Sequence, residues 1–407
     1  MWGRDVGRLS LDTSAGPSWK PLPVLVTTPL AVTGDPAPAL WLLVARTGAL
    51  LALAGAFVLA ARIGGAWAGA AAAGVMAAGP WWMYNAALGN SEGLLVAAIL
   101  WAVVAHLEGH RRTALALATA AALLRPEVWP FLGAYGLWLW RTEPVARAAV
   151  VLAAVATPIL WLGPDVLGIG GAVRASKSAR GDPSPGSAGL EDVPALAVLG
   201  DAVELLTIPA TLGALAAVIL AWRAGRVIAL LATGAAAWIA IVAVMAQAGY
   251  PGTPRYLVAA TAAGSVLAGV GASRLGAAGA LAVVAATGLV SLPDLTDQVP
   301  ELRTRAERRA ALTTLIQRAG GRDAILGCAR VRTAAAMRPL VAWQLDLPML
   351  DLDVPPLKPA VVLRWKPHFP GPVEPVMRPA RRGFHELARA PGWEAWAACG
   401  QAPQSTS

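Results

Sequence analysis

A few polar side chains stand at the edges of long apolar runs, where their chemistry needs a reason. Arg125 and Glu127 lie two residues apart around Pro126 in "AALLRPEVWPFL" (121–132), with apolar sequence on both sides. "LGNSEGLL" (88–95) places Asn90 and Glu92 at the mouth of another run, and "GYPGTPRYLV" (249–258) does the same for Arg255 and Tyr256. Lys20 stands in "SWKPLP" ahead of a further run, and Arg46 lies about ten residues inside one, in "WLLVARTGAL". An ionisable group at membrane depth costs roughly 2.5–3.5 kcal/mol on insertion scales, so such groups face a protein interior or a watery cavity. The planar fork of arginine matches phosphate oxygens, and lysine adds a point charge. A deep pocket that holds a phosphate is therefore one reading of Arg125. The other is an Arg125–Glu127 or Arg46–Glu127 pair that serves packing alone. Glu92 also suits a solvated helix start, where the dipole favours an acid, and interfacial Arg and Tyr are common membrane anchors. The convergence of Lys20, Glu92, Arg125 and Arg255 on one face says more than any one of them.

The elements that position these groups are apolar helices. The chain has 407 residues, 57% hydrophobic and 14% charged, with mean hydropathy +0.57. A soluble domain carries roughly a quarter charged residues. Apolar runs recur at 37–61, 66–84, 92–107, 113–124, 128–140, 146–163, 206–222, 227–248, 256–272 and 276–292, and about 20 such residues span a bilayer core of ~30 Å. The expected fold is an all-α polytopic membrane protein of about 8–10 transmembrane or half-depth helices. The runs 113–124 and 128–140 are short and meet at "RPE", because proline ends a helix and restricts the residue before it. They are expected to be half-depth helices with Arg125 and Glu127 at their apex, under a crevice open to one side.

Loop charges give the orientation. Arg62, Arg111, Arg112, Arg141, Arg147, Arg223, Arg226 and Arg274 share one set of loops, in which the acids are Glu108 and Glu143. That set is assigned to the cytoplasm by the positive-inside rule. The loops 1–36, 85–91, 164–205, 249–255 and the tail then face outward. The N-terminus would lie outside with no signal peptide or span ahead of it, so a preceding helix is expected to be missing from the chain. The net charge of +9 is explained by basic loops. No aromatic–basic interleaving of the single-strand-binding kind is present, and no nucleic-acid partner is expected.

Two domains are expected: 1–292 in the membrane, with the outer loop 164–205, and 293–407 as a small extracytoplasmic α/β domain. The tail opens with a charged helical stretch, and strand-like runs follow at "AILGCARV", "LVAWQLDLPML", "AVVLRWK" and "WEAWAACG". The only cysteines, Cys328 and Cys399, both lie in this tail. They form a disulfide if it faces an oxidising compartment, and are two core thiols otherwise. His106 and His110 have a possible metal spacing, yet they sit in a basic loop. Asp346, Asp351 and Asp353 have cation chemistry, though a solvated acidic loop explains them as well. No metal site is assigned. The chain has no nucleotide-binding glycine motif and no G-x-S-x-G elbow.

The stretch "GPSWKPLPVLVTTPLAVTGDPAPALWLLVARTGALLA" resembles the first outer loop and second helix of the GT-C membrane glycosyltransferases. Protein O-mannosyltransferases and lipid A aminoarabinose transferases carry a K-P-P there and an arginine in the next helix. Lys20-Pro21-Leu22-Pro23 departs by one residue, and Arg46 matches the later arginine. "GNSEGLL" and "AALLRPEVWPFL" are similar to the second outer loop and half-depth helices of that superfamily, and "GTPRYLV" resembles an R-Y motif of actinobacterial members. The resemblance covers about residues 1–275; the tail is similar by position more than by motif.

The resemblance implies an inverting transferase that uses a polyprenyl-phosphate sugar outside the cell membrane and a cell-envelope glycan, lipid or protein as acceptor. It implies donor-phosphate contacts at Lys20, Arg125, Arg255 and Tyr256, and sugar contacts at Asn90, Glu92 and Glu127. No cofactor is certain, and a divalent cation is the one candidate. The general base of the family lies well before the K-P-P, and counting back from Lys20 passes Met1. Asp5 and Asp12 are the fallback bases in this chain. Two alternatives stand beside the enzyme: a lipid or solute transporter whose buried charges line a path, and a catalytically inactive partner subunit.

Overall fold

A computed structural model describes residues 2–9, 13, 19–168, 186–221, 225–328, 330–352, 358–366 and 383–399. The chain divides into two compact units. The helical unit comprises residues 19–166 and 170–298, and the C-terminal unit comprises 299–407 with 1–18 and 167–169. The division after residue 298 lies later than the expected 292, and residues 1–18 group with the tail rather than with the helices. Arg4 accounts for that grouping. It donates to Asp346 Oδ1 (3.0 Å) and to the carbonyls of Ala342 (3.3 Å) and Leu347 (2.5 Å). Its guanidinium lies 5.3 Å from the Trp343 ring.

The helical unit contains α2 (Pro21–Ala31), α3 (Ala37–Gly64), α4 (Ala66–Ala78), α5 (Trp82–Leu88), α6 (Glu92–Leu107), α7 (Arg111–Ala122), α8 (Trp129–Thr142) and most of α9 (Arg147–Gly168); α1 (Trp2–Gly7) belongs to the other unit. There follow α10 (Pro194–Leu206), α11 (Ile208–Ala221), α12 (Arg226–Gln247), α13 (Val258–Ala272) and α14 (Gly276–Arg318), which belongs to the C-terminal unit from Val299 onward. Among the described residues, four stretches are long and apolar enough to cross a membrane: Ala37–Gly64, Pro144–Leu167, Arg226–Gln247 and Pro254–Arg318. The number is up to six if the bent pairs α5–α6 (118°) and α10–α11 (96°) each count as one span. Such helices suit a membrane protein.

Small residues set the packing of this unit. A Cβ on Gly93 of α6 would lie 2.8 Å from the Cα and N of Ala49 in α3. One on Gly269 of α13 would lie 2.4 Å from the Ala68 carbonyl oxygen in α4. Close backbone approach through glycine and alanine is the usual means of holding helices together where lipid removes the hydrophobic drive.

Several elements differ from the sequence expectation. The first loop holds α2, started by Pro21 at a position where its missing N–H is harmless. The outer loop 164–205 holds α10, which also begins on a proline. The run 66–84 is split around Gly79 and Pro80 into α4 and α5. The run 276–292 continues as helix through Pro293 to Arg318.

The C-terminal unit contains α15 (Gly321–Cys328), α16 (Arg338–Gln344) and strands β1 (Arg330–Thr333), β2 (Ala360–Trp365), β3 (His385–Ala390) and β4 (Trp393–Ala398). The sheet order is β1-β2-β4-β3, with β1 parallel to β2 and the other pairs antiparallel. "AILGC" and "LVAWQ" are helical, not strands. Val341, Ala342 and Leu345 are buried at helical spacing, and alanine and leucine favour helix. β3, "HELARA", was not anticipated. It is a mostly exposed edge strand whose pairing with β4 overrides its composition. Cys328 and Cys399 form a disulfide, Cα–Cα 4.9 Å.

Candidate functional site

The charged residues of the helical unit are sorted by end. At one end, Arg62 pairs with Glu108 and Arg111 with Glu143. Glu92 opens α6 and Glu108 follows its last residue, so the two ends are about 24 Å apart at 1.5 Å per residue. At the Glu92 end the chain gathers Lys20, Ser91, Glu92, Arg125, Glu127 and Tyr256.

Each is placed by a local rule. Gly89, at φ +70°, turns the chain between α5 and α6. The turn is held by Trp41 Nε1 donating to the Gly89 carbonyl (2.9 Å), by Asn90 Nδ2 to Asn85 Oδ1 (2.7 Å) and by Asn85 Nδ2 to the Trp81 carbonyl (2.7 Å). Asn90 is thus a turn-former that leaves Glu92 aimed inward. Pro126 forces Arg125 into extended backbone (φ −148°, ψ 129°), which ends α7 and turns the side chain back into the unit. The Leu22 amide donates to the Leu123 carbonyl (3.1 Å) and brings Lys20 to the same place. Trp238 Nε1 donates to the Tyr256 carbonyl (2.7 Å) and fixes the turn Pro254–Leu257.

Arg125 is the hub. Its Nη2 donates to Glu92 Oε1 at 2.8 Å, its Nη1 reaches Glu127 Oε1 at 3.5 Å, and its guanidinium lies 4.4 Å from the Tyr256 ring centroid. The Glu92 bond is the strong one; 3.5 Å is the outer limit of a hydrogen bond. Lys20 Nζ is 3.7 Å from the same Glu92 oxygen and 3.3 Å from Ser91 Oγ. Arg125, Glu92 and Glu127 are 6%, 2% and 3% exposed. Lys20 is about a quarter exposed and Arg255 is exposed. The Arg255 guanidinium stands 5.7 Å from the Tyr256 ring on the open side, close enough for its charge to act on Lys20 and Glu92. Three cations against two acids leave a surplus of one positive charge, carried on the accessible side by Lys20 and Arg255.

Sequence alone is compatible with a packing pair and with a phosphate pocket at Arg125. The structure gives it buried acids as direct partners, so Arg125 braces the site while Lys20 and Arg255 remain reachable. Arg46 joins neither: it is exposed and donates to the Ala87 carbonyl at 3.4 Å. Asp5 belongs to the C-terminal unit, buried beside Arg4; burial raises its carboxyl above the usual aspartate range. Asp12 and Asp353 lie outside the described residues. Asp346 takes Arg4, Arg8 and Arg322 as partners, so its oxygens are committed to guanidinium groups rather than to a metal. His106 Nδ1 lies 3.2 Å from Tyr135 Oη, whereas His110 faces Glu108 at 3.6 Å. Among the described residues no cluster of three or more His, Cys, Asp or Glu could hold a metal ion.

An apolar cavity of about 480 Å³ lies next to the charged cluster, and no local sequence signal marks it. At one end it is lined by Ala121 and Val128, which bracket Arg125 in the chain, and by Trp238, the residue bonded to Tyr256. At the other it reaches His106, Tyr135 and Trp138. Its volume arises because alanine and glycine from α6, α7, α12 and α13 face one another there. No protein-family model, no curated protein and no solved structure matches the chain.

Proposed function

We propose that the chain is a membrane glycosyltransferase of GT-C type. It moves a sugar from a polyprenyl-phosphate donor to a cell-envelope acceptor at the outer face of the cell membrane, with the C-terminal unit on that side. The observation that carries this reading is the pairing of a positively biased cluster with an apolar cavity of about 480 Å³. One ligand chemistry suits both at once: a phosphate on a long apolar tail. Lys20 and Arg255 meet the phosphate oxygens, Arg125 holds Glu92 and Glu127 in place behind them, and the tail enters the cavity. Charge that develops on the phosphate as the glycosidic bond breaks is then stabilised by cations already in position. Glu127 Oε2, which has no hydrogen-bond partner, is the group suited to a sugar hydroxyl.

The acceptor hydroxyl must lose a proton as it attacks the anomeric carbon. Glu92 and Glu127 are engaged by cations and make poor bases. Asp5 belongs to the C-terminal unit and is not one of the residues gathered here.

The test is transfer of labelled sugar from a polyprenyl-phosphate donor by the purified protein. Arg125→Ala is expected to lower the rate by about 10², the scale of displacing groups that position a substrate, because Glu92 and Glu127 lose the partner that holds them. Undiminished transfer by a folded Arg125→Ala protein removes Arg125 from the mechanism. The bends in α5–α6 (118°) and α10–α11 (96°) favour a second reading, a carrier, since broken helices line the paths of transporters. Sugar flux into vesicles without any glycosyl product would select it.

A further inference from the structure

We propose that His106, Tyr135 and Trp138 form a stop that sets how many isoprene units of the lipid donor the cavity holds. This rests on reading the cavity as the site of a prenyl-phosphate tail. The occupant follows from charge complementarity. The end beside Arg125 carries a surplus cation, and the walls between are apolar. A ligand that enters with its phosphate at Lys20 and Arg255 therefore points its chain end at His106.

His106 follows Glu92 by 14 residues in α6, an axial distance of about 21 Å. The far end is lined by a braced aromatic group. His106 Nδ1 is 3.2 Å from Tyr135 Oη. Tyr135 stacks on Trp138 with centroids 5.6 Å apart, and His106 meets Trp138 edge-on at 5.2 Å. The Arg111 guanidinium lies 5.1 Å from the Trp138 ring and is itself paired with Glu143. A prenyl chain that displaces this group separates a hydrogen-bonded pair for which a hydrocarbon offers no replacement. Ala102, one turn before His106 on the same face, keeps the space before the stop open.

The experiment uses the full chain in nanodiscs and geranylgeranyl monophosphate with a diazirine at the tail end, an extended tail comparable in length with that span. Photolabelling is followed by peptide mapping. The expected result is labelling of the peptides that carry His106, Tyr135 and Trp138, suppressed by excess geranylgeranyl monophosphate but not by geranylgeraniol. Ala102→Phe should cut this labelling by about tenfold, because a packed site does not accept extra volume, while a shorter geranyl probe still labels. Trp138→Ala should shift the adducts past the former stop, towards Arg111 and Glu143. Phosphate-suppressible labelling at other positions, unchanged in both variants, overturns the stop and leaves the phosphate site standing. Absence of phosphate-suppressible labelling in the unaltered protein overturns the reading beneath it, and the stop with it.

Discussion

Removing Arg125 should destabilise the helical unit more than removing any other single charge. Glu92 and Glu127 are 2% and 3% exposed, and Arg125 is their shared partner. In Arg125→Ala, Lys20 still stands 3.7 Å from Glu92, but Glu127 loses the partner that holds it. Breaking a buried pair by deleting one side costs about 3–5 kcal/mol, since the remaining charge stays desolvated. For a unit of this size that corresponds to a fall in Tm of roughly 6–20 °C. A triple change, Arg125→Met with Glu92→Gln and Glu127→Gln, removes all three charges and should recover most of the loss. Arg125→Lys keeps the charge without the fork and should fall between, because the lysine head cannot serve both acids and the Tyr256 ring together. The assay is thermal unfolding of purified protein in one detergent, followed by circular dichroism. An Arg125→Ala protein that melts within a degree or two of the parent would refute a buried, coupled cluster. So would a triple variant no more stable than the single one.

Three further outcomes follow from the packing and the sheet. Gly93→Ala puts a Cβ 2.8 Å from the Ala49 backbone and should cost about 1–3 kcal/mol, whereas Gly133→Ala, with nothing within 4 Å, should be neutral or mildly stabilising; equal melting of the two would contradict the α3–α6 contact. Cys328 and Cys399 close a loop of 71 residues, so Cys328→Ser should weaken the C-terminal unit by about 4 kcal/mol on the loop-entropy estimate, and a urea midpoint indifferent to reductant would argue against the pairing. Glu394 is the acid of the sheet with a pH signature. Burial raises its carboxyl, but hydrogen bonds from Lys366 and Trp396 and the charges of Lys366 and Arg364 outweigh that and hold it below its ordinary 4.5. Its contribution is present above pH 4.5 and is lost as pH falls through the lower folded value. Glu394→Gln should therefore be less stable at neutral pH and show a flatter acid limb; parallel acid limbs would remove Glu394 from the account.

Much of the helical unit was legible because its signal is local. The run 92–107 is α6 to the residue, and "RPE" marks the break between α7 and α8, since proline acts on its own neighbours. The convergence of Lys20, Glu92, Arg125 and Arg255 is legible as loops on one face, but their partners are not. Whether Glu127 meets Arg125 or Arg46 depends on helix packing that a single sequence does not encode locally. Asn90 shows the same limit: its side chain holds a turn through Asn85, a contact invisible in "LGNSEGLL". Helices α2 and α10, of 11 and 13 residues, are too short to stand out as spans and lie between the long apolar runs. The cavity was missed because it is made of what is absent, side-chain volume at Ala102, Gly234 and Ala263 on three separate helices. In the sheet, "AVVLRW" and "WEAWAA" read as strands from β-branched and aromatic content, while "LVAWQ" is helical through the spacing of its buried residues.

The most direct test of the central claim is equilibrium binding of geranylgeranyl monophosphate and of geranylgeraniol to the full chain in nanodiscs. The account predicts that the phosphate binds at least about tenfold more tightly than the alcohol, the scale of one charge-assisted hydrogen bond. It also predicts that Lys20→Gln with Arg255→Gln erases that difference. Equal affinity for phosphate and alcohol, or a preference for phosphate that survives the double substitution, would contradict it.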